Sequence, residues 1–364
     1  RESTATKIVE AFGADSFNVI ENEPERLAQI KGITRKKARE ISEEFKKEFL
    51  AGEMIVGLTS LGLSQNEAVK IYKMFKAESM DIVKANPYAL IGSQTGIDFD
   101  RADEICDSLQ DKPPFDYRAQ AGIYYIVEHN LKNGHTCVPR SKVFTPACDL
   151  LECSVDDAEI AIDNAIDAKM VVQKNINGRA FLFLPDIYAA EASVADRINV
   201  MIKFPPAKKE IFDGEVYAFE KSHDIEFDEK QRQAIEIAVN KGLLILTGGP
   251  GTGKTTTVRG IISLMKNRGL KVELAAPTGR AAQRMEELTG FEAKTIHRLL
   301  EVEYQEDGNS SKFVHNLRNP IDCDAVIVDE LSMVDIKLFA SLLDALPLHC
   351  RLIMVGDQNQ LPPV

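Results

Sequence analysis

The segment Gly248-Gly249-Pro250-Gly251-Thr252-Gly253-Lys254-Thr255 constrains the fold of this chain more than any other. It follows an apolar run, Leu243 to Leu246, that reads as a buried strand. It precedes Thr256 to Arg268, where Val258, Ile261, Ile262 and Met265 recur at helical spacing. Strand, glycine-rich loop and helix form the setting in which G-x-x-x-x-G-K-[ST] becomes a phosphate site. Glycines let backbone N–H groups converge on phosphate oxygens, and the helix N-terminus adds partial positive charge there. The pattern predicts a nucleoside triphosphate cradle built from Gly249, Pro250, Gly251, Thr252, Gly253, Lys254, Thr255 and Thr256. Lys254 is placed to reach the β- and γ-phosphates, and the Thr255 hydroxyl to hold Mg²⁺.

A chain of 364 residues exceeds what one core usually organises, so two or three domains are expected. No apolar run approaches a membrane span and no signal pattern opens the chain, which points to a cytoplasmic protein without a membrane partner. The six cysteines form no C-x-x-C pair, so they read as reduced structural thiols rather than zinc ligands. A net charge of −12 argues against a protein coated with nucleic acid but leaves room for a local basic groove. The chain opens inside a helical pattern and stops directly after a motif, and so reads as a fragment of a longer protein.

The first hundred residues contain a repeat. Shifted by 63 positions, Ala5-Thr6-Lys7-Ile8 meets Ala68-Val69-Lys70-Ile71, Ser16 meets Ser79 and Pro24 meets Pro87. After one inserted residue Gly32-Ile33 meets Gly96-Ile97, and Ala38 meets Ala102. Each copy ends in a predicted helix, glycine turn and helix, with Gly32 and Gly96 as left-handed caps and the small alanines allowing close helix approach. The unit resembles the helix-hairpin-helix element, whose turn presents backbone amides to a DNA phosphate. Lys31, Arg35, Lys36, Lys37 and Arg39 surround the first turn; Asp98, Asp100, Asp103 and Glu104 surround the second. Copy one can grip phosphate through Lys36 and Lys37, or serve as a scaffold with a solvated basic face; copy two repels phosphate.

Asp111-Lys112-Pro113-Pro114 is a stiff break and a candidate boundary. Beyond it Tyr117 to Asn130, Pro139 to Leu150 and Val155 to Ala168 read as helices, and Met170 to Ile176 and Arg179 to Leu184 as a hairpin around Asn177-Gly178. That order is that of a winged helix. Asp149, Glu152, Asp156, Asp157, Glu159 and Asp163 make its recognition region acidic, which favours a structural role over DNA contact. Phe204-Pro205-Pro206 leads into a linker.

Gln231 precedes the loop at a spacing that lets its amide read adenine. Lys271 to Pro277 reads as a strand, Thr278-Gly279-Arg280-Ala281-Ala282 and Thr295-Ile296-His297 as helix starts. Ala325 to Val328 is a buried strand ending in Asp329-Glu330, where Asp329 suits Mg²⁺ and Glu330 can polarise an attacking water. Arg351 to Val355 is a further strand, ending in Gly356-Asp357-Gln358-Asn359-Gln360-Leu361-Pro362. Strands alternating with helices predict a doubly wound parallel sheet with nucleotide at the strand ends.

In that order, these segments resemble a superfamily 1 DNA helicase, and as a set the RecD/TraA branch in its long form with an N-terminal helix-hairpin-helix region. The resemblance implies a multidomain chain: tandem helix-hairpin-helix elements over 1–112, a winged-helix-like domain over 113–206, and an α/β P-loop motor over 207–364. It implies ATP-driven 5′→3′ movement on single-stranded DNA, unwinding at single/double-strand junctions, and a role in DNA repair or recombination; protein partners are not readable. Lys254, Asp329, Glu330 and Gln360 would carry catalysis, Gln360 sensing the γ-phosphate. Thr278, Arg280 and His297 would lie near the strand, although His297 reads equally as a satisfied helix-start histidine. Residues 301–316, with Val302, Tyr304, Phe313 and Val314 flanking Asp307-Gly308, hold the position of a duplex-splitting pin, or form a surface loop. A second motor lobe with the arginines that complete the site would follow Val364, so the fragment should hydrolyse ATP poorly. A different DNA-linked P-loop ATPase or a non-catalytic DNA-binding module are the alternatives.

Overall fold

The computed structural model describes residues 2–92, 94–131, 133–207, 213–249, 251–304 and 311–357. The chain divides into two units, Arg1–Tyr125 and Ile126–Val364. The first is helical: α1 (Glu2–Phe12), α2 (Ser16–Asn22), α3 (Arg35–Ser60), α4 (Gln65–Phe75), α5 (Ser79–Ala85), α6 (Phe99–Ser108) and the start of α7 (Phe115–Leu131).

The sequence repeat is a structural repeat. Gly13 (φ 50°) and Lys76 (φ 51°) begin matching 3₁₀ turns between α1 and α2 and between α4 and α5. At the buried start of the following helix, the Ser16 hydroxyl donates to the Gly13 carbonyl at 2.7 Å, and the Ser79 hydroxyl to the Lys76 carbonyl at 2.6 Å. Ala38 and Ala102 are fully buried, as their small size and spacing predict. The elements ahead of the glycine turns depart from expectation. Pro24–Gln29 and Pro87–Leu90 are 3₁₀ turns, not α-helices, and each ends on an extended residue, Ile30 or Ile91. A proline start and so short a run leave too few i→i−4 bonds to sustain an α-helix. Gly32 (φ 101°) and Gly96 (φ 76°) therefore sit inside the turn rather than capping a helix, still supplying the positive φ.

The second unit opens with β1 (Val138–Pro139), α8 (Phe144–Leu151), α9 (Val155–Asp167), β2 (Val172–Ile176) and β3 (Arg179–Phe183). β2 and β3 pair antiparallel around Asn177 (φ 51°) and Gly178 (φ 78°), the two positive-φ residues that a tight hairpin turn demands. The two-residue β1 joins β3 and completes a three-stranded sheet in the order β1-β3-β2. Next comes a long helix absent from the sequence reading, α10 (Pro185–Lys203), followed by α11 (Asp213–His223) and α12 (Glu229–Asn240).

Then come β4 (Leu243–Thr247), α13 (Lys254–Asn267), β5 (Val272–Ala276), α14 (Gly279–Thr289), β6 (Lys294–Thr295), α15 (Ile296–Leu300), β7 (Val302–Tyr304), β8 (Ser311–Phe313), β9 (Ala325–Val328), α16 (Ile336–Ala345) and β10 (Arg351–Gly356). Five strands make a parallel sheet in the order β4-β10-β9-β5-β6, while β7 and β8 form a separate antiparallel ribbon. Both faces of the sheet are covered, so its central strand β9 is apolar and buried at every position rather than alternating. Ala325, Ile327, Ile353 and Val355 face a core shared with α11, α12, α13 and Met285 of α14. Val326, Val328, Leu352 and Met354 face a second core shared with α15, α16 and Met201 of α10. Arg197 of α10 donates to the carbonyls of Leu343 (2.9 Å) and Leu346 (2.6 Å) at the end of α16. The parallel sheet is thus finished on one side by a helix that precedes residue 207.

Candidate nucleotide site

β4 runs directly into the glycine loop, and α13 starts at Lys254 behind Gly253, whose φ of 79° turns the backbone left-handed. That backbone conformation favours glycine, and a Cβ on Gly253 would come within 2.4 Å of Gln231 Nε2, so the glutamine amide would have to move aside. A Cβ on Gly248 would come within 2.6 Å of Thr252 Oγ1. Thr252 Oγ1 donates to the Gly249 carbonyl at 2.9 Å, which folds the loop on itself. Lys254 Nζ donates to the carbonyls of Gly248 and, at 3.1 Å, Gly249, so its charge lies in the mouth of the loop.

β9 delivers the acids. The Asp329 N–H still donates to the Ala275 carbonyl at 2.9 Å in the sheet ladder. The chain then turns through Glu330 (φ 51°, ψ 41°), whose N–H donates to Asp329 Oδ1 at 2.9 Å. Burial pushes the Asp329 carboxyl above its ordinary value, with the Glu330 charge adding to the rise; the Glu330 N–H and the charges of Arg284 and Lys254 oppose it. Gly249, Gly251, Thr252, Gly253, Lys254, Thr255, Thr256, Asp329 and Glu330 all line one cleft of about 450 Å³ at the C-terminal ends of the strands. Loop and carboxylates, some 75 residues apart in sequence, thus line the same cleft.

Gln231 backs the loop instead of lining the cleft, with its amide nitrogen against Gly253. It also closes a capping box on α12: its N–H donates to Asp228 Oδ1 (2.9 Å) and its Oε1 accepts from the Asp228 N–H (3.0 Å). Pro250 and Gln360 lie outside the described residues. Arg284, Leu288 and Asp357 line the cleft and were not picked out as site residues from the sequence. The signal for Arg284 was its place four residues after Arg280 on a helix that leaves a strand end of the same sheet.

Thr278 and Thr295 are N-caps, their hydroxyls accepting from the N–H groups of Ala281 and Arg298, each at 3.2 Å. Ala276 pairs with Thr295 in the sheet, so α14 and α15 start side by side, presenting exposed Thr278, Arg280 and His297. The His297 ring lies 5.9 Å from Phe313, at the base of the β7–β8 ribbon. Residues 305–310, between β7 and β8 in sequence and including the Asp307-Gly308 centre of the expected pin, lie outside the described residues. Lys36 and Lys37 are exposed on α3, in the other unit; Lys36 stands 3.9 Å from Glu40. Glu25 takes up Arg39 at 2.7 Å and Arg35 at 3.9 Å, an acid the run Lys31 to Arg39 does not reveal.

Residues 231–364 match the family described as an AAA domain, residues 2–47 a SAM-like helix-hairpin-helix tandem, and residues 47–137 the HHH domain of the ATP-dependent RecD2 DNA helicase. Across 99% of its length the chain is 32% identical to the ATP-dependent RecD2 DNA helicase of Deinococcus radiodurans, of which the match covers 50%. The chain belongs to the RecD-type helicases, with an N-terminal helix-hairpin-helix region. The RecBCD enzyme subunit RecD of Mycolicibacterium smegmatis is 35% identical over 50% of this chain and 35% of its own. That of Haemophilus influenzae is 37% identical over 37% of this chain and 24% of its own. The chain spans about half the length of the Deinococcus helicase and less of the RecD subunits.

Proposed function

We propose that this chain supplies the nucleotide-binding motor domain (207–364), a winged-helix-like domain (113–206) and a tandem helix-hairpin-helix region (1–112) of an enzyme that hydrolyses ATP, moves 5′→3′ on single-stranded DNA and separates duplex at single/double-strand junctions. The observation that carries the reading is the single cleft in which Lys254 and Thr255 meet Asp329 and Glu330. Lys254 offsets charge on the β- and γ-phosphates, and the loop N–H groups orient them. The Thr255 hydroxyl and the Asp329 carboxylate are hard oxygen donors suited to Mg²⁺, which when bound neutralises charge developing on the phosphoryl group. Glu330 accepts a proton from the attacking water. Gln231 reads the adenine through what its capping bonds leave free, and Gln360 senses the γ-phosphate.

Thr278, Arg280 and His297 are the strand contacts of the motor in this reading, with the residue 301–316 hairpin as the pin. His297 against Phe313 and the bond from the Val314 N–H to the Glu301 carbonyl (2.8 Å) would seat it on α15. Lys36 and Lys37 add phosphate contacts. We place the protein in the cytoplasm, in DNA repair or recombination; among the described residues no helix is long and apolar enough to cross a membrane. The test is ATP hydrolysis by the full-length protein with and without single-stranded DNA. Lys254→Ala should lower the stimulated rate at least about a hundredfold. A variant that hydrolyses like the wild type would remove the cleft from the mechanism.

A further inference from the structure

Arg284 is a positive charge in the nucleotide cleft that none of the motifs accounts for. It stands midway along α14 and lines the same space as Lys254, Thr255, Asp329 and Glu330. Its side chain is exposed, and with the described residues it forms no hydrogen bond and no salt bridge, although its charge reaches Asp329. Structural arginines in this chain are spent differently. Arg197 is fastened to two carbonyls, Arg101 to a carbonyl and two carboxylates, Arg351 to the Val239 carbonyl. A guanidinium that offers five donors to a cleft while holding no acceptor among the described residues suits an anionic ligand with several oxygens.

Its place in the sheet says which part of the ligand it meets. In the order β4-β10-β9-β5, the loop and Lys254 follow β4, Asp329 follows β9, and α14 follows β5. A phosphate chain that enters at the glycine loop and ends beside Asp329 therefore has its last phosphate nearest α14. Three carboxylates line the cleft, Asp329, Glu330 and Asp357, against Lys254 and Arg284. Without Arg284, one protein cation would face both these acids and a polyanion.

We propose that Arg284 contacts the terminal phosphate of the bound nucleoside triphosphate, an arginine supplied within this chain to the γ-phosphate. The proposal rests on the reading of the cleft as a triphosphate site. It makes the site discriminate triphosphate from diphosphate, since the contact is lost when the γ-phosphate leaves.

The test uses the 364-residue chain and needs no turnover. Fluorescent β,γ-imido ATP and fluorescent ADP are titrated, with Mg²⁺, into wild type, Arg284→Ala, Arg284→Lys and Lys254→Ala. Arg284→Ala should weaken the triphosphate analogue about tenfold and ADP less than about twofold. Arg284→Lys should fall between, because lysine keeps the charge but not the two-pronged geometry. Equal affinities in wild type and Arg284→Ala would overturn the proposal, and so would parallel losses for both nucleotides. If Arg284→Ala lowers the thermal unfolding midpoint, the same comparison is made on Arg284→Lys. A wild type that binds neither nucleotide would instead overturn the reading of the cleft, whereas loss of both nucleotides confined to Lys254→Ala leaves that reading standing.

Discussion

Glu330 holds φ 51° and ψ 41°, a left-handed backbone that costs a non-glycine residue about 1 kcal/mol. The turn it makes is what sets the Asp329 and Glu330 carboxylates at the cleft, so the strain sits where a side chain is needed. Glu330→Gly should keep the turn and raise stability by about 0.5 kcal/mol while hydrolysis falls as far as in Glu330→Gln. Denaturant unfolding and phosphate release measure the two effects; a Glu330→Gly variant with undiminished hydrolysis would show that the carboxylate is not used. In the helical unit, Glu67 is half-buried and accepts from Arg101 at 3.0 Å through both oxygens, and Arg101 also donates to the Gly62 carbonyl at 2.6 Å. Arg101 chiefly holds the Glu67 carboxyl down to about 2, against burial and with help from Ser64. A carboxyl depressed on folding stabilises fully above its unfolded value, about 4.3, and the gain is lost as pH falls toward the folded value. Glu67→Gln should therefore cost about 1–3 kcal/mol at pH 6 and little near pH 2, measured by denaturant unfolding across that range. An equal cost at both ends would remove the ion pair from the account.

The two helix-hairpin-helix copies are one element carrying two different sets of side chains. Thr34 and Asp98 are matching N-caps, accepting from the N–H groups of Lys37 (3.3 Å) and Arg101 (2.9 Å). The side chains after them part company. Arg101 is tied down inside the unit, whereas its counterpart Lys37 is exposed. At the turn itself, buried Thr95 donates to the Leu90 carbonyl at 2.5 Å and Lys70 Nζ donates to the Thr95 carbonyl at 3.3 Å; the matching residue in copy one is exposed Lys31. Copy two has its turn closed by its own side chains, whereas copy one leaves Lys31 and Lys37 exposed, although Glu25 takes up Arg35 and Arg39. Lys36→Glu with Lys37→Glu should lower the slope of log affinity for single-stranded DNA against log salt by about 1.4 or more, without loss of stability. An unchanged slope would make copy one a scaffold like copy two. This repeat was legible because buried serines, alanines and glycines recur at fixed spacing. The 3₁₀ character of Pro24–Gln29 was not, because a short run with apolar residues has no period of its own. Nor was α10, whose role depends on the carbonyls at the end of α16, some 150 residues away.

The motor reads most clearly from sequence, since phosphate chemistry demands glycine, lysine and carboxylates at strand ends. Gly253 holds a positive φ that favours glycine, and Asp329 follows a strand apolar at every position. Arg284 escaped notice because an arginine on a polar helix face looks like solvation until β9 and β5 are seen to be neighbours. The acid that takes up Arg35 and Arg39 escaped for the same reason, Glu25 being close only in space. The cleft proposed for nucleotide lies at one set of strand ends of the parallel sheet, and the starts of α14 and α15, proposed as strand contacts, leave neighbouring strands of the same sheet. Direction of movement is the property in which the proposed roles of these parts meet. The decisive measurement is strand separation by the full-length protein, with ATP and Mg²⁺, on duplexes carrying a single-stranded tail at the 5′ or the 3′ end. Unwinding of the 5′-tailed duplex alone, abolished by Lys254→Ala, is the predicted result; unwinding only from a 3′ tail, or none dependent on Lys254, would contradict it.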